Sequence, residues 1–148
     1  MASFVQDFQI IRETPLLIGD GAPAGDREER EIPFNMHDIQ TNQPCILHFE
    51  VRGLVVATEN PVVEINNRKV GEIDRFHLRS KGSDGENHFW LHQSLIVPAS
   101  RVINGRNTLE ITAPGWRDSN TSDRYDDFQI RNIVIFYRTH LAAQTISA

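Results

Sequence analysis

At 148 residues, with 39% hydrophobic and 24% charged side chains, the chain has the size and composition of one ordinary globular domain rather than a disordered segment. Its net charge is −5 and the two signs are interspersed, so it has no basic stripe to neutralise phosphates and nucleic acid is set aside as a partner. No stretch approaches the roughly 20 apolar residues of a membrane-spanning helix.

The N-terminal MASFVQDFQIIRETPLLIG lacks a basic n-region, and Asp7, Arg12 and Glu13 interrupt its apolar residues. It does not read as a signal peptide, so the expected location is cytoplasmic by default, with export by a signal-less route left open. Apolar Phe4–Ile11 predicts a first strand within residues 1–12. Residues 13–30, ending in GDGAPAGDREER, predict a mobile loop, and Glu31–Met36 a short strand after it.

In Cys45–Arg52, Leu47, Phe49 and Val51 alternate with His48, Glu50 and Arg52, the period of a half-buried strand. Val62–Ile65 and Lys69–Ile73 flank Asn66-Asn67-Arg68, and because Asn tolerates positive φ a tight hairpin is expected there. His88–Val97 and Thr108–Thr112 follow, joined through a connection that carries the Asn104-Gly105 turn signal. In the first of these, Phe89, Leu91, Leu95 and Val97 are expected in the core and Trp90, His92 and Ser94 opposite them. The last strand, Asp127–Arg138, changes apolar phase near Asn132, which predicts a bulge or burial on both faces. Residues 139–148 read as a weakly ordered tail.

Seven or eight short strands without a repeat or a dividing linker predict a single all-β domain spanning residues 1–148, an antiparallel two-sheet sandwich. If consecutive strands alternate direction from Cys45 onward, the connections 53–60, 74–87 and 113–126 gather at one end. That end would present Arg75, His77, Arg79, Lys81 and Asp84 from one loop and Trp116, Arg117, Asp118, Asn120 and Arg124 from another. Trp116 offers an apolar face for a sugar ring and its polar neighbours offer partners for hydroxyls; the competing reading folds Trp116 back over the sandwich edge. A second candidate surface is a sheet face carrying His48, Glu50, Trp90 and His92, with Arg52 and Ser94 beside them; the competing reading puts Trp90 in the core, since a one-residue slip inverts the assignment.

Between Pro61 and Arg138 stand VVEINNRKVG at 62–71, LIVP at 95–98, INGRNTLEI at 103–111 and DFQIRNIVI at 127–135. In these segments the pattern resembles the galactose-binding-like jelly-roll domains, which include carbohydrate-binding modules and the sugar-binding domains of glycosidases. The resemblance implies a jelly-roll sandwich and a non-enzymatic binding role, lectin-like and directed at carbohydrate. The same fold also serves as a structural subunit that binds other proteins, and a homo-oligomer fits that second role. Some such domains hold a structural calcium ion, for which Asp20, Asp26 and Asp126 or Asp127 could supply oxygen ligands; an acidic loop is more often simply solvated.

Catalytic chemistry finds little support in the sequence. HExxH, paired CxxC and GxSxG are absent, and His88 and His92 on one extended strand stand about 13 Å apart. Cys45, the sole cysteine, lies in an apolar strand, where a buried inert thiol is expected. No catalytic residue and no cofactor other than that calcium is expected.

Overall fold

A computed structural model of the chain describes residues 4–19, 29–54, 60–74, 89–113 and 128–140. Among these residues the chain forms β1 (Phe4–Arg12), β2 (Leu16–Ile18), β3 (Glu29–Met36), β4 (Cys45–Arg52), β5 (Val62–Ile65), β6 (Arg68–Glu72), β7 (Leu91–Val97), β8 (Gly105–Thr112) and β9 (Phe128–His140). A single 3₁₀ turn at Ala99–Arg101 is their one helical element, and none of their helices is long and apolar enough to cross a membrane.

The strands make an all-β antiparallel sandwich. Its front sheet runs β1-β9-β4-β7, with β2 also paired to β9, and its back sheet runs β3-β8-β5-β6. β4 shows why the layers close: Cys45, Leu47, Phe49 and Val51 are buried, while Ile46, His48, Glu50 and Arg52 face outward. Buried Ile32, Phe34 and Met36 of β3, Val63 and Ile65 of β5, and Leu109 and Ile111 of β8 join the same core from the back sheet.

Two turn devices hold one end of the sandwich. Asn66 and Asn67 take φ of 53° and 61°, which gives the tight hairpin expected between β5 and β6. Asn107 is fully buried: its Oδ1 accepts from the Ile103 amide at 2.9 Å and from Asn66 Nδ2 at 2.8 Å, while its Nδ2 donates to the carbonyls of Ile103 and Gly105. Asn66 Oδ1 in turn accepts from the Thr108 amide at 3.0 Å. The Gly-x-Asn signature leading into β8 is therefore a polar staple joining the β5–β6 hairpin turn to the connection between β7 and β8.

β9 carries the predicted bulge. Asn132 adopts φ 49°, the pairing slips between Ile10 and Arg12 on one side and between His48 and Glu50 on the other, and the Asn132 amide donates to the Glu13 carbonyl at 3.2 Å. Before the bulge Phe128 and Ile130 point inward; after it Ile133, Ile135 and Tyr137 do.

Some expectations are corrected. The span 13–30 expected to be a mobile loop contains β2, whose three residues are too few to show a period but pair with β9, and it ends in the first two residues of β3. The span 139–148 expected as a weakly ordered tail begins with Thr139 and His140 inside β9, paired to Val5 and Phe4. Phe89 is 69% exposed rather than in the core, because β7 starts at Leu91 and its inward phase is set from there.

Candidate functional site

β4, β7 and β9 bring the outward side chains of the front sheet into one patch. The register places Ile46, His48 and Glu50 opposite Ile96, Ser94 and His92 on β7, and opposite Phe136, Val134 and Arg131 on β9. The patch therefore grades from apolar to charged along the strands.

At the charged end, Glu50 Oε2 accepts from Arg131 Nε at 2.6 Å and from Asn132 Nδ2 at 2.8 Å. Two consecutive residues of β9 reach one carboxylate because the bulge turns both to the outer face. The Arg131 hydrogen bond, helped by Asn132, holds the Glu50 carboxyl below its ordinary range against a desolvation cost acting the other way. Arg52 donates to Gln129 Oε1 at 2.7 Å. Trp90 is half-buried beside these groups, with the guanidinium carbon of Arg131 4.0 Å and that of Arg52 4.7 Å from its ring centre.

In the middle, His48 Nδ1 and His92 Nε2 are 2.9 Å apart, and Ser94 Oγ lies 3.4 Å from the same Nδ1. Partial burial, and then the neighbouring His92, push the His48 imidazole toward its neutral form. Its ring packs edge-to-face with Phe136, the ring centres 4.9 Å apart. Beyond it the surface turns apolar: Phe8, Phe136, Ile46 and Ile96 form one row across β1, β9, β4 and β7, with Phe8 54% and Ile96 71% exposed. A depression of about 220 Å³ opens there between Ile46, Ile96, Phe136, Pro44 and Arg138.

The face anticipated from His48, Glu50, Trp90 and His92 is thus assembled, with Trp90, His92 and Ser94 outward. Sequence reasoning missed Arg131, Asn132 and Ile96. The phase shift at Asn132 was the signal for the first two, since a bulge there sends both to one face. The loop residues Arg75, His77, Arg79, Asp84, Trp116, Arg117, Asp118 and Arg124 lie outside the described residues, as do Asp20, Asp26, Asp126 and Asp127 of the anticipated calcium site. The strand ends that anchor those loops, Glu72 with Leu91 and Thr112 with Phe128, do stand at one end of the sandwich. Among the described residues no group of three or more His, Cys, Asp or Glu is placed to hold a metal. Cys45 is buried and its thiol is pushed up to about 11 by desolvation, which removes it as a nucleophile.

Fold and face together define an antiparallel β-sandwich with a mixed aromatic and polar outer sheet. Among solved structures the chain is similar to part of BpGH86A, a beta-porphyranase of glycoside hydrolase family 86 from the human gut bacterium Bacteroides plebeius, with a TM-score of 0.59 and 16% identity. The likeness covers 96% of this chain and 22% of that one, so this chain spans under a quarter of that enzyme's length, and at such identity it speaks for the fold alone. No protein-family model and no curated protein matches the chain.

Proposed function

We propose that the chain is a non-catalytic binding module whose ligand is carbohydrate, held across the outer face of the front sheet. The observation that carries this reading is the Trp90 cluster, an indole braced by Arg131 and Arg52 beside the clamped carboxylate of Glu50. Sugars present an apolar C–H face and paired hydroxyls, and such a cluster offers an aromatic surface next to planar donors and acceptors. The ring and the carboxylate are already immobilised by their neighbours, so little ordering remains to be lost on binding. Glu50 is held ionised, which suits acceptance of hydroxyl protons and is the wrong state for a general acid.

A glycan array with calcium and with chelator, run on the native chain and on Trp90→Ala and Trp116→Ala, tests it. A hit lost only in Trp90→Ala supports the sheet face. A hit lost only in Trp116→Ala moves the ligand to the loop end, and loss with chelator brings in the acidic loops. A silent array overturns the carbohydrate reading.

A second reading rests on a separate observation, the row of exposed Phe8, Ile46 and Ile96 with half-buried Phe136 among them. Such a row suits a protein neighbour, as in an assembly subunit. There Ile96→Asp lowers a concentration-dependent solution mass while leaving glycan binding intact; a monomer at every concentration removes self-assembly.

A further inference from the structure

His48 and His92 hold a relation that neither a core nor a sugar site requires. They sit on adjacent strands as diagonal neighbours, His48 opposite Ser94 and His92 opposite Glu50. Their nitrogens lie 2.9 Å apart, with ring centres 5.0 Å apart and planes inclined by 54°. Without a cation, one ring donates its N–H and the other accepts. Moving that proton to the far nitrogen of the same ring leaves two lone pairs at one point in space, with no net proton lost from the neutral pair.

The separation is that of an ordinary hydrogen bond, and it also suits one shared ion. Two imidazole nitrogens bound to one ion at a right angle stand about 2.9 Å apart for bonds of about 2.05 Å, whereas a tetrahedral angle requires about 3.3 Å. The observed distance matches adjacent positions of a square-planar or octahedral ion. The Phe136 edge braces His48, and Glu50 faces His92 across the ladder while Arg131 balances its charge. With no third protein donor of the usual kinds among the described residues, remaining coordination positions fall to water or to an oxygen-bearing ligand.

We propose that His48 and His92 form a surface chelate for a late first-row divalent cation, Cu²⁺ or Ni²⁺ ahead of Zn²⁺, with open positions on the solvent side. The site does not depend on the carbohydrate reading.

The test is titration of the chelator-treated full chain with Ni²⁺, read by calorimetry and by ring-nitrogen NMR, beside His48→Gln and His92→Gln. One ion per chain is expected, with the ring signals of both histidines broadening together, since Ni²⁺ in such a ligand set is paramagnetic. Each substitution should weaken binding on the order of a hundredfold, because losing one arm of a chelate removes its effective-concentration advantage. Thermal melts confirm that both variants fold. The proposal is overturned by no binding at millimolar Ni²⁺, by unchanged affinity in either single variant, or by one-to-one binding that persists in the double variant.

Discussion

Single side chains on this molecule have distinct tasks, and the buried amide of Asn107 carries one of the largest. Removing it takes a partner from the Ile103 amide, from the carbonyls of Ile103 and Gly105 and from one N–H of Asn66 Nδ2, whose other N–H keeps the Arg101 carbonyl, at a partly buried site. Asn107→Ala should cost about 3 kcal/mol in urea unfolding, and Asn107→Asp should fail to restore it because a charge would then be buried. The two perturbed groups of the outer face set a pH profile. His48 titrates below its ordinary 6.5 when folded, so the unfolded chain binds more protons over that interval and stability falls as pH drops below about 6.5. Glu50 also titrates below its ordinary value, 4.5, so its contribution is full above that pH and is lost as pH falls through its folded value. Thermal melts across pH should show both declines, and His48→Gln should abolish the upper one alone.

At the scale of elements, two positions show how strands are fitted to one another. β6 and β7 bring the edges of the two sheets together, and a β-carbon on Gly71 would stand 3.0 Å from Leu95 Cδ2 and 3.2 Å from its Cδ1. Gly71→Val should therefore cost about 2 kcal/mol through overpacking, and Leu95→Ala in the same chain should recover part of it. In β9, Asn132 combines a left-handed backbone with a side chain bonded to Glu50. Asn132→Gly keeps the backbone and loses the clamp, whereas Asn132→Val loses the clamp and adds strain of about 1–2 kcal/mol. Denaturant midpoints ordered native, Gly, Val support the bulge as the device that arms the outer face; equal midpoints for the two variants would count against it.

For the whole molecule, the core runs through both sheets, from Phe128 and Phe49 in front to Leu109 and Ile65 behind. Cys45 belongs to that core, 3% exposed and with its thiol raised to about 11. A thiol reagent should leave the native chain unlabelled at neutral pH and react once denaturant exceeds the unfolding midpoint, so labelling and fluorescence should report one transition. Labelling that runs ahead of fluorescence would show the front sheet opening on its own. The outer face adds a different property to the same scale, since an apolar row across β1, β9, β4 and β7 lies beside polar groups carried on β9, β4 and β7.

The strands Cys45–Arg52 and Val62–Ile65, the Asn66-Asn67 turn and the break at Asn132 were legible in the sequence because each is written in neighbouring residues: a period of two, a pair of residues that accept positive φ, or a change of phase. The outward pair His92 and Ser94 followed from that same period, whereas Phe89 and Trp90 both precede the strand, and Phe89 is exposed rather than in the core. β2 could not be read, as three residues carry no period and exist as a strand only through pairing with β9. Nor could the grip of Arg131 and Asn132 on Glu50, or the approach of His48 to His92, since these join residues 81, 82 and 44 positions apart. Local pattern decides which way a side chain points within its strand. Which side chains then meet depends on the register between strands, and that is set only when the whole core closes.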